Sequence, residues 1–191
     1  YLKLENLQPI GSFKLRGASN AMALATPEQL SRGVYTSSAG NMAQGVAWSA
    51  RRMGLTSTIV VPDNAPETKL AAIKRLGARL VRVPYDEWWR VMTTHRYEPL
   101  SEGLFIHPSS NPAVMAGNGT MGLEILEDLP DVDAVLIPYG SGGMSSGIGC
   151  ALRALKPETK IYACEVETAA PVAASLKAGS PQDVAYSPSF V

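Results

Sequence analysis

The sequence predicts a two-lobed α/β protein built on open, parallel sheets. Three observations carry this. Short β-branched runs alternate with longer stretches of helical spacing along nearly the whole chain. Most of these runs stop at Gly or Pro, residues that punctuate elements. Apolar residues make up 46% of the 191 positions, enough for an ordinary globular core. There is no tandem repeat and no low-complexity tract.

The elements follow in order. Tyr1-Leu2-Lys3-Leu4-Glu5 reads as a strand. Val34-Tyr35-Thr36-Ser37 is the next strand, followed by a helix from about Ala43 to Met53 that Gly54 closes. Thr58-Ile59-Val60-Val61 is a strand stopped by Pro62. Leu70, Ile73 and Leu76 then fall at helical spacing, with Gly77 as the cap. Arg79-Leu80-Val81-Arg82-Val83 is a further strand, and Asp86 is the candidate N-cap of a helix through Trp88, Trp89 and Met92. The strand Leu104-Phe105-Ile106 precedes a helix through Leu123 and Leu126. The strand Ala134-Val135-Leu136-Ile137, a helix over residues 148–155 and the strand Lys160-Ile161-Tyr162-Ala163 complete the pattern. Alternation of this kind gives parallel strands joined by helical crossovers.

Composition narrows the function. Seventeen Lys and Arg balance seventeen Asp and Glu. A neutral chain offers no electrostatic footprint for nucleic acid or an anionic membrane as main partner. No apolar run reaches the roughly 18 residues that span a bilayer, and no secretory leader is read at the N-terminus. Cys150 and Cys164 have neither metal nor redox spacing and read as reduced core residues of a cytoplasmic protein. The start without Met and the loop-like Tyr186-Ser187-Pro188-Ser189 at the end point to a piece of a longer chain.

In open α/β sheets, ligands bind beyond the carboxyl ends of the strands. Three turns there draw attention. Gly140-Ser141-Gly142-Gly143-Met144-Ser145-Ser146-Gly147 follows an apolar strand and opens a helix. Its N–H groups can converge on an anion, with the helix N-terminus adding positive potential. A phosphate is the natural guest; a plain packing turn is the alternative. No Gly-Lys-Ser/Thr follows, so it is not a Walker loop. It comes nearer a dinucleotide fingerprint, with Ser145 in place of the third glycine and Glu165 about where a ribose-binding acid belongs. A nicotinamide oxidoreductase therefore stays open on spacing alone. In Gly11-Ser12-Phe13-Lys14-Leu15-Arg16-Gly17-Ala18, Lys14 is flanked by apolar residues. Partial removal from water lowers an amine's pKa and makes it a usable nucleophile; a solvated surface lysine is the alternative. Ser37-Ser38-Ala39-Gly40-Asn41-Met42-Ala43-Gln44-Gly45 suits a carboxylate held at a helix N-terminus, or simple capping by Ser38 or Asn41.

Together, in this order, the segments resemble the fold-type II pyridoxal-phosphate (PLP) enzymes, nearest to serine/threonine dehydratases and serine racemases. Lys3-Leu4-Glu5-Asn6-Leu7-Gln8 with residues 11–18 is similar to their lysine motif. Residues 38–45 resemble their substrate-carboxylate loop, and residues 140–147 their phosphate loop. His107-Pro108 and Ala116-Gly117-Asn118-Gly119-Thr120 resemble their inter-lobe segment. The resemblance implies the tryptophan-synthase-β-like fold, incomplete at the C-terminus, and dimeric assembly. It implies a cofactor lobe over residues 1–32 and 111–191 and a small lobe over 33–110, with the site in the cleft between. It implies that Lys14 joins the cofactor's aldehyde and later takes the substrate's Cα proton, and that Phe13 helps wall the site. Asn41 would bond the ring hydroxyl. Gly140, Ser141, Gly142, Gly143 and Met144 would cradle the phosphate. Ser38, Ala39, Gly40, Asn41 and Met42 would receive the substrate carboxylate. The implied reaction is β-elimination of threonine or serine to a 2-keto acid and ammonia.

Within the family, racemases place a serine where Ala39 stands. A methyl group carries no proton, so a lyase is expected over a racemase. Other departures are Met42 for the usual histidine, Ser109 for a frequent aromatic, Asn118 for a frequent glutamine, and Ser141 within a glycine run. Ser141 would be strained if its position needs positive φ. Glu165 matches one ligand of the family's divalent-cation site, or is a solvated strand-end acid; Pro171 falls where a second carboxylate is often found. The family's partner for the pyridine nitrogen lies beyond Val191. A non-catalytic fragment that keeps the fold is the further alternative.

Overall fold

The computed structural model describes residues 1–188. The helices are α1 (Lys14–Ala23), α2 (Pro27–Leu30), α3 (Asn41–Arg52), α4 (Glu67–Arg75), α5 (Tyr85–Thr94), α6 (Pro112–Asp128), α7 (Gly143–Leu155) and α8 (Pro171–Ala178). The strands are β1 (Val34–Ser37), β2 (Ser57–Pro62), β3 (Arg79–Val83), β4 (Leu104–Phe105), β5 (Ala134–Pro138) and β6 (Lys160–Cys164). They form two parallel sheets: one of order β3-β2-β1-β4, the other the pair β5-β6. This is the two-lobed α/β architecture read from the alternating pattern.

Burial explains why these runs are strands. All four residues of β1 are buried, as a central parallel strand requires when helices cover both faces. Its core continues through Ile59 and Val61 of β2, Ala43, Val46, Ala47 and Ala50 of α3, and Leu70 and Ile73 of α4. A second core joins Met121, Ile137, Ile148 and Leu152, with Phe13 and Met144 packed against it. Ends are set by local chemistry. Thr26 and Gln29 form a capping box on α2. The Asn111 side chain accepts the Val114 N–H at 3.1 Å, and Pro112 opens α6.

Four expectations change. Residues 1–4 have no strand partner, and residues 5–7 form a 3-10 turn. Their polar side chains anchor instead: Lys3 to Glu124, and Glu5 to Arg16. Asp86 lies in the first turn of α5, where Pro84 holds the N-cap position. Cys150 and Cys164 are exposed, not core. Cys150 is about 200° around α7 from buried Ile148, on the outer face. α7 begins at Gly143 rather than 148, because the glycine loop runs directly into its first turn.

Candidate active site

Helix N-termini gather at the carboxyl ends of the strands. Ser37 ends β1, and a turn over residues 38–40 enters α3. Pro138 ends β5, and a turn over residues 139–142 enters α7. Lys14 itself opens α1, which packs on both α3 and α6, while α6 packs on α7. Missing side chains permit this closeness. A Cβ on Gly45 of α3 would lie 3.0 Å from the Lys14 carbonyl carbon and oxygen. A Cβ on Gly147 of α7 would lie 2.1 Å from the Met115 carbonyl oxygen of α6.

Lys14 is half-buried. Its Nζ donates to the Pro108 carbonyl at 3.3 Å and lies 5.0 Å from the centroid of the Phe13 ring. Burial lowers the amine below the ordinary lysine value of 10.5. Ser12, buried beside it, accepts the Lys14 backbone N–H at 3.3 Å. Phe13 and Met144 pack against the same apolar cluster, so the expected wall and the last residue of the expected phosphate cradle share one support.

The glycine loop is a row of donors. Among the described residues, no protein acceptor pairs with the backbone N–H groups of residues 140–145; the first helical bond of α7 runs from Ser146 to Gly142. No side chain caps this end, and no acidic residue lies in its first turn. Gly142 has φ +84°, a conformation that suits glycine. Ser141 does not share it: His95 is the one non-glycine residue at positive φ among the described residues. Gly143 is pressed against the 107–110 turn, where a Cβ would lie 2.8 Å from Ser109 Cα. Asn118, fully buried, donates from Nδ2 to the Gly143 carbonyl at 3.2 Å, and its Oδ1 has no protein partner.

The N-terminus of α3 is built alike. Gly40 is its N-cap without a capping side chain. The Ser38 hydroxyl accepts the Gly40 N–H at 3.2 Å and keeps its own proton to donate. Asn41 is exposed, and its side chain has no protein partner among the described residues. Ala39 packs against the core with its methyl group. Met42 is corrected in one respect: its side chain is 2% exposed and belongs to the core, leaving only its backbone at the site.

Glu165 is also corrected. Its two carboxylate oxygens accept the Val172 and Ala173 N–H groups at 3.0 and 2.9 Å, so it caps α8. Among the described residues, no group of three His, Cys, Asp or Glu is placed to hold a metal. The same engagement leaves Glu165 poorly disposed to receive a ribose. Two surface clefts of about 430 and 420 Å³ lie elsewhere, one beside Arg32, Thr58 and Glu102, the other beside Leu123 and Leu155. Sequence reasoning missed the Pro108 carbonyl as partner of the Lys14 amine, because that contact joins residues 94 positions apart.

Known proteins show the family to which this fold belongs. A family model described as pyridoxal-phosphate dependent enzyme matches residues 1–191. An L-threonine ammonia-lyase of Thermotoga maritima is 42% identical over 192 residues, covering 100% of this chain and 47% of the relative. A serine racemase of Mus musculus is 42% identical over 172 residues, covering 88% and 51%. The processed form of threonine deaminase isoform 2 from Solanum lycopersicum superposes with a TM-score of 0.87 at 38% identity, covering 95% of this chain and 50% of that one. The chain spans about half the length of the curated relatives it matches.

Proposed function

The chain belongs to the pyridoxal-phosphate dependent enzymes, and from that premise we propose that it carries the cofactor-holding part of a lyase that eliminates the β-hydroxyl of threonine or serine to yield a 2-keto acid and ammonia. The observation that carries the reading is the partly desolvated Lys14 amine beside helix packing that gathers two uncapped helix N-termini. The residues present fit PLP. Six unpaired N–H groups over residues 140–145 suit a phosphate dianion, and the glycines there leave the backbone bare. When bound, PLP supplies an aldehyde for amine capture and an electron sink for the substrate's Cα.

The chain's own groups do the rest. Lys14, lowered by burial, is more often neutral than a solvated lysine, and is the amine we assign to capture and to moving the Cα proton. Phe13 would wall the cofactor and Asn41 would bond its ring hydroxyl. The free N–H groups at the start of α3, with the Ser38 hydroxyl, are the carboxylate grip. Ala39 places a methyl group where a second proton carrier would be needed, which favours elimination over racemisation. A cofactor lobe over residues 1–32 and 111–191, a small lobe over 33–110, a cytoplasmic setting and a homodimer complete the reading. Leu136 and Tyr162, paired in register and exposed, supply an apolar face for association; a strictly monomeric species in sedimentation at high concentration rejects the dimer.

The test is an absorbance spectrum with added PLP, before and after serine or threonine, on wild type and Lys14→Ala. A near-visible band that borohydride fixes on Lys14, and that Lys14→Ala lacks, is expected. An unchanged band in Lys14→Ala rejects the site. A racemisation rate equal to elimination rejects the role given to Ala39.

A further inference from the structure

We propose that His95 and His107 form a stacked positioning pair that sets the Lys14 amine through the 107–110 turn; this rests on the reading of Lys14 as the cofactor-holding amine and deepens it. The two rings lie 4.3 Å apart between centroids, with Phe105 flanking both at 6.0 and 6.1 Å. His107 Nδ1 accepts the Ser109 N–H at 3.1 Å and the Ser110 N–H at 2.8 Å. An Nδ1 that accepts twice carries no proton, so the neutral ring holds its proton on Nε2. The backbone carbonyl of Met92, in α5, acts on the ring as an acceptor. His107 thus pins the turn from below, and the next residue, Pro108, offers its carbonyl to Lys14 Nζ. Ser109, held by the same nitrogen, abuts Gly143 at the start of the donor loop. One imidazole therefore fixes a turn that touches both the amine and the glycine loop.

His95 closes this arrangement. It ends α5 in the left-handed region, at φ 57°, the one non-glycine residue so placed among the described residues. That conformation is uncommon for non-glycine residues, and Asn, Asp and His adopt it most readily. It turns the ring onto His107 and brings Nε2 to 3.2 Å from the Ser110 hydroxyl. The titratable groups acting on His107 are His95, from the end of α5, and Lys14, from α1; both are cations when protonated. Together with burial, they keep His107 below the ordinary histidine value. Protonating Nδ1 would set three donors against each other and free the turn. The Lys14 contact is then lost as pH falls through the His107 midpoint.

The chain has two histidines, so imidazole NMR of the protein without added PLP returns two ring systems, assigned with His95→Asn and His95→Phe. In wild type, His107 is expected as the neutral Nε2–H tautomer at neutral pH. In His95→Asn its midpoint moves up by about 0.7 unit, the size expected for removing one charge at this distance through water. PLP capture by Lys14, followed by absorbance from pH 5 to 8, then fails at a correspondingly higher pH. His95→Phe keeps a ring on the stack without its charge; it preserves the tautomer and moves the midpoint the same way. A wild-type His107 protonated on Nδ1 overturns the proposal. So does a His95→Asn protein whose His107 midpoint and capture profile both match wild type. If wild type captures no PLP, the reading of Lys14 fails instead, and the imidazole signals still decide the pair.

Discussion

Lys14 costs the fold something, and the sign of that cost is testable. Its amine is withdrawn from water with no carboxylate to pair it among the described residues, so its folded pKa is lowered from 10.5. The unfolded chain then binds the proton more tightly than the folded one. Stability therefore rises with pH between the lowered value and 10.5. Lys14→Met is expected to stabilise the protein without PLP at pH 7 by about 1 kcal/mol, with the gain shrinking as pH rises through that window. Urea melts at pH 7 and pH 10 check it; equal gains at both would show that the amine carries no such penalty. Such a cost is common at groups kept for chemistry. The residue itself was legible, because Phe13 and Leu15 flank it in a motif with a family resemblance. Its partner was not, because the Pro108 carbonyl reaches it from another part of the chain.

At the scale of elements, close helix packing decides where the N-terminal end of each helix lies. Gly147 shows this most sharply. An added methyl would meet the Met115 carbonyl at 2.1 Å and the Gly119 nitrogen at 2.7 Å, both backbone atoms that cannot swing aside. Gly147→Ala is expected to cost about 3 kcal/mol by overpacking and to weaken PLP capture by moving the α7 N-terminus. Gly149 lies in the same helix, but its added methyl meets only Ile161 Cδ1 at 3.8 Å, ordinary contact. Gly149→Ala is expected to stabilise by up to about 1 kcal/mol through helix propensity. Denaturant titrations of the two variants test the contrast, which fails if their signs agree. Pattern alone placed Gly147 at the end of the glycine-rich turn and Gly149 in the helix over residues 148–155. It had no means of telling a contact glycine from a spare one, since the difference is the neighbour on α6.

For the molecule as a whole, a charged cluster ties the start of the chain to the body. Arg16 bonds Glu5 at 2.8 Å and Glu124 at 2.6 Å, and Lys3 reaches Glu124 at 2.7 Å. Arg16 holds the Glu124 carboxyl down to about 2, with Lys3 adding to it. A depressed carboxylate contributes stability above its unfolded value that is lost as pH falls toward the folded one. The protein is expected to weaken between about pH 4.5 and 2. Arg16→Met should cost about 2 kcal/mol at pH 7, since it leaves the part-buried Glu5 without its charged partner and Glu124 with Lys3 alone, and should flatten that acid slope. Thermal melts across pH 2 to 7 measure both, and an acid slope unchanged by the substitution would assign it to other groups. The opening residues read as a strand in isolation because their apolar alternation is real. Without a neighbouring strand that alternation has no ladder to join, and the charges take over.

The sequence by itself determined the alternation of strand and helix, the two turns that follow β1 and β5, and the turn that carries the Lys14 amine. These depend on neighbours a few positions apart, where periodicity and glycine placement act directly. Only the tertiary structure decided that Glu165 caps a helix, that Met42 faces the core, that the cysteines face out, and that His95 leans on His107 behind Lys14. Each of those depends on which distant backbone group lies within hydrogen-bonding or van der Waals reach. That is a property of packed helices and sheets, and no local pattern encodes it.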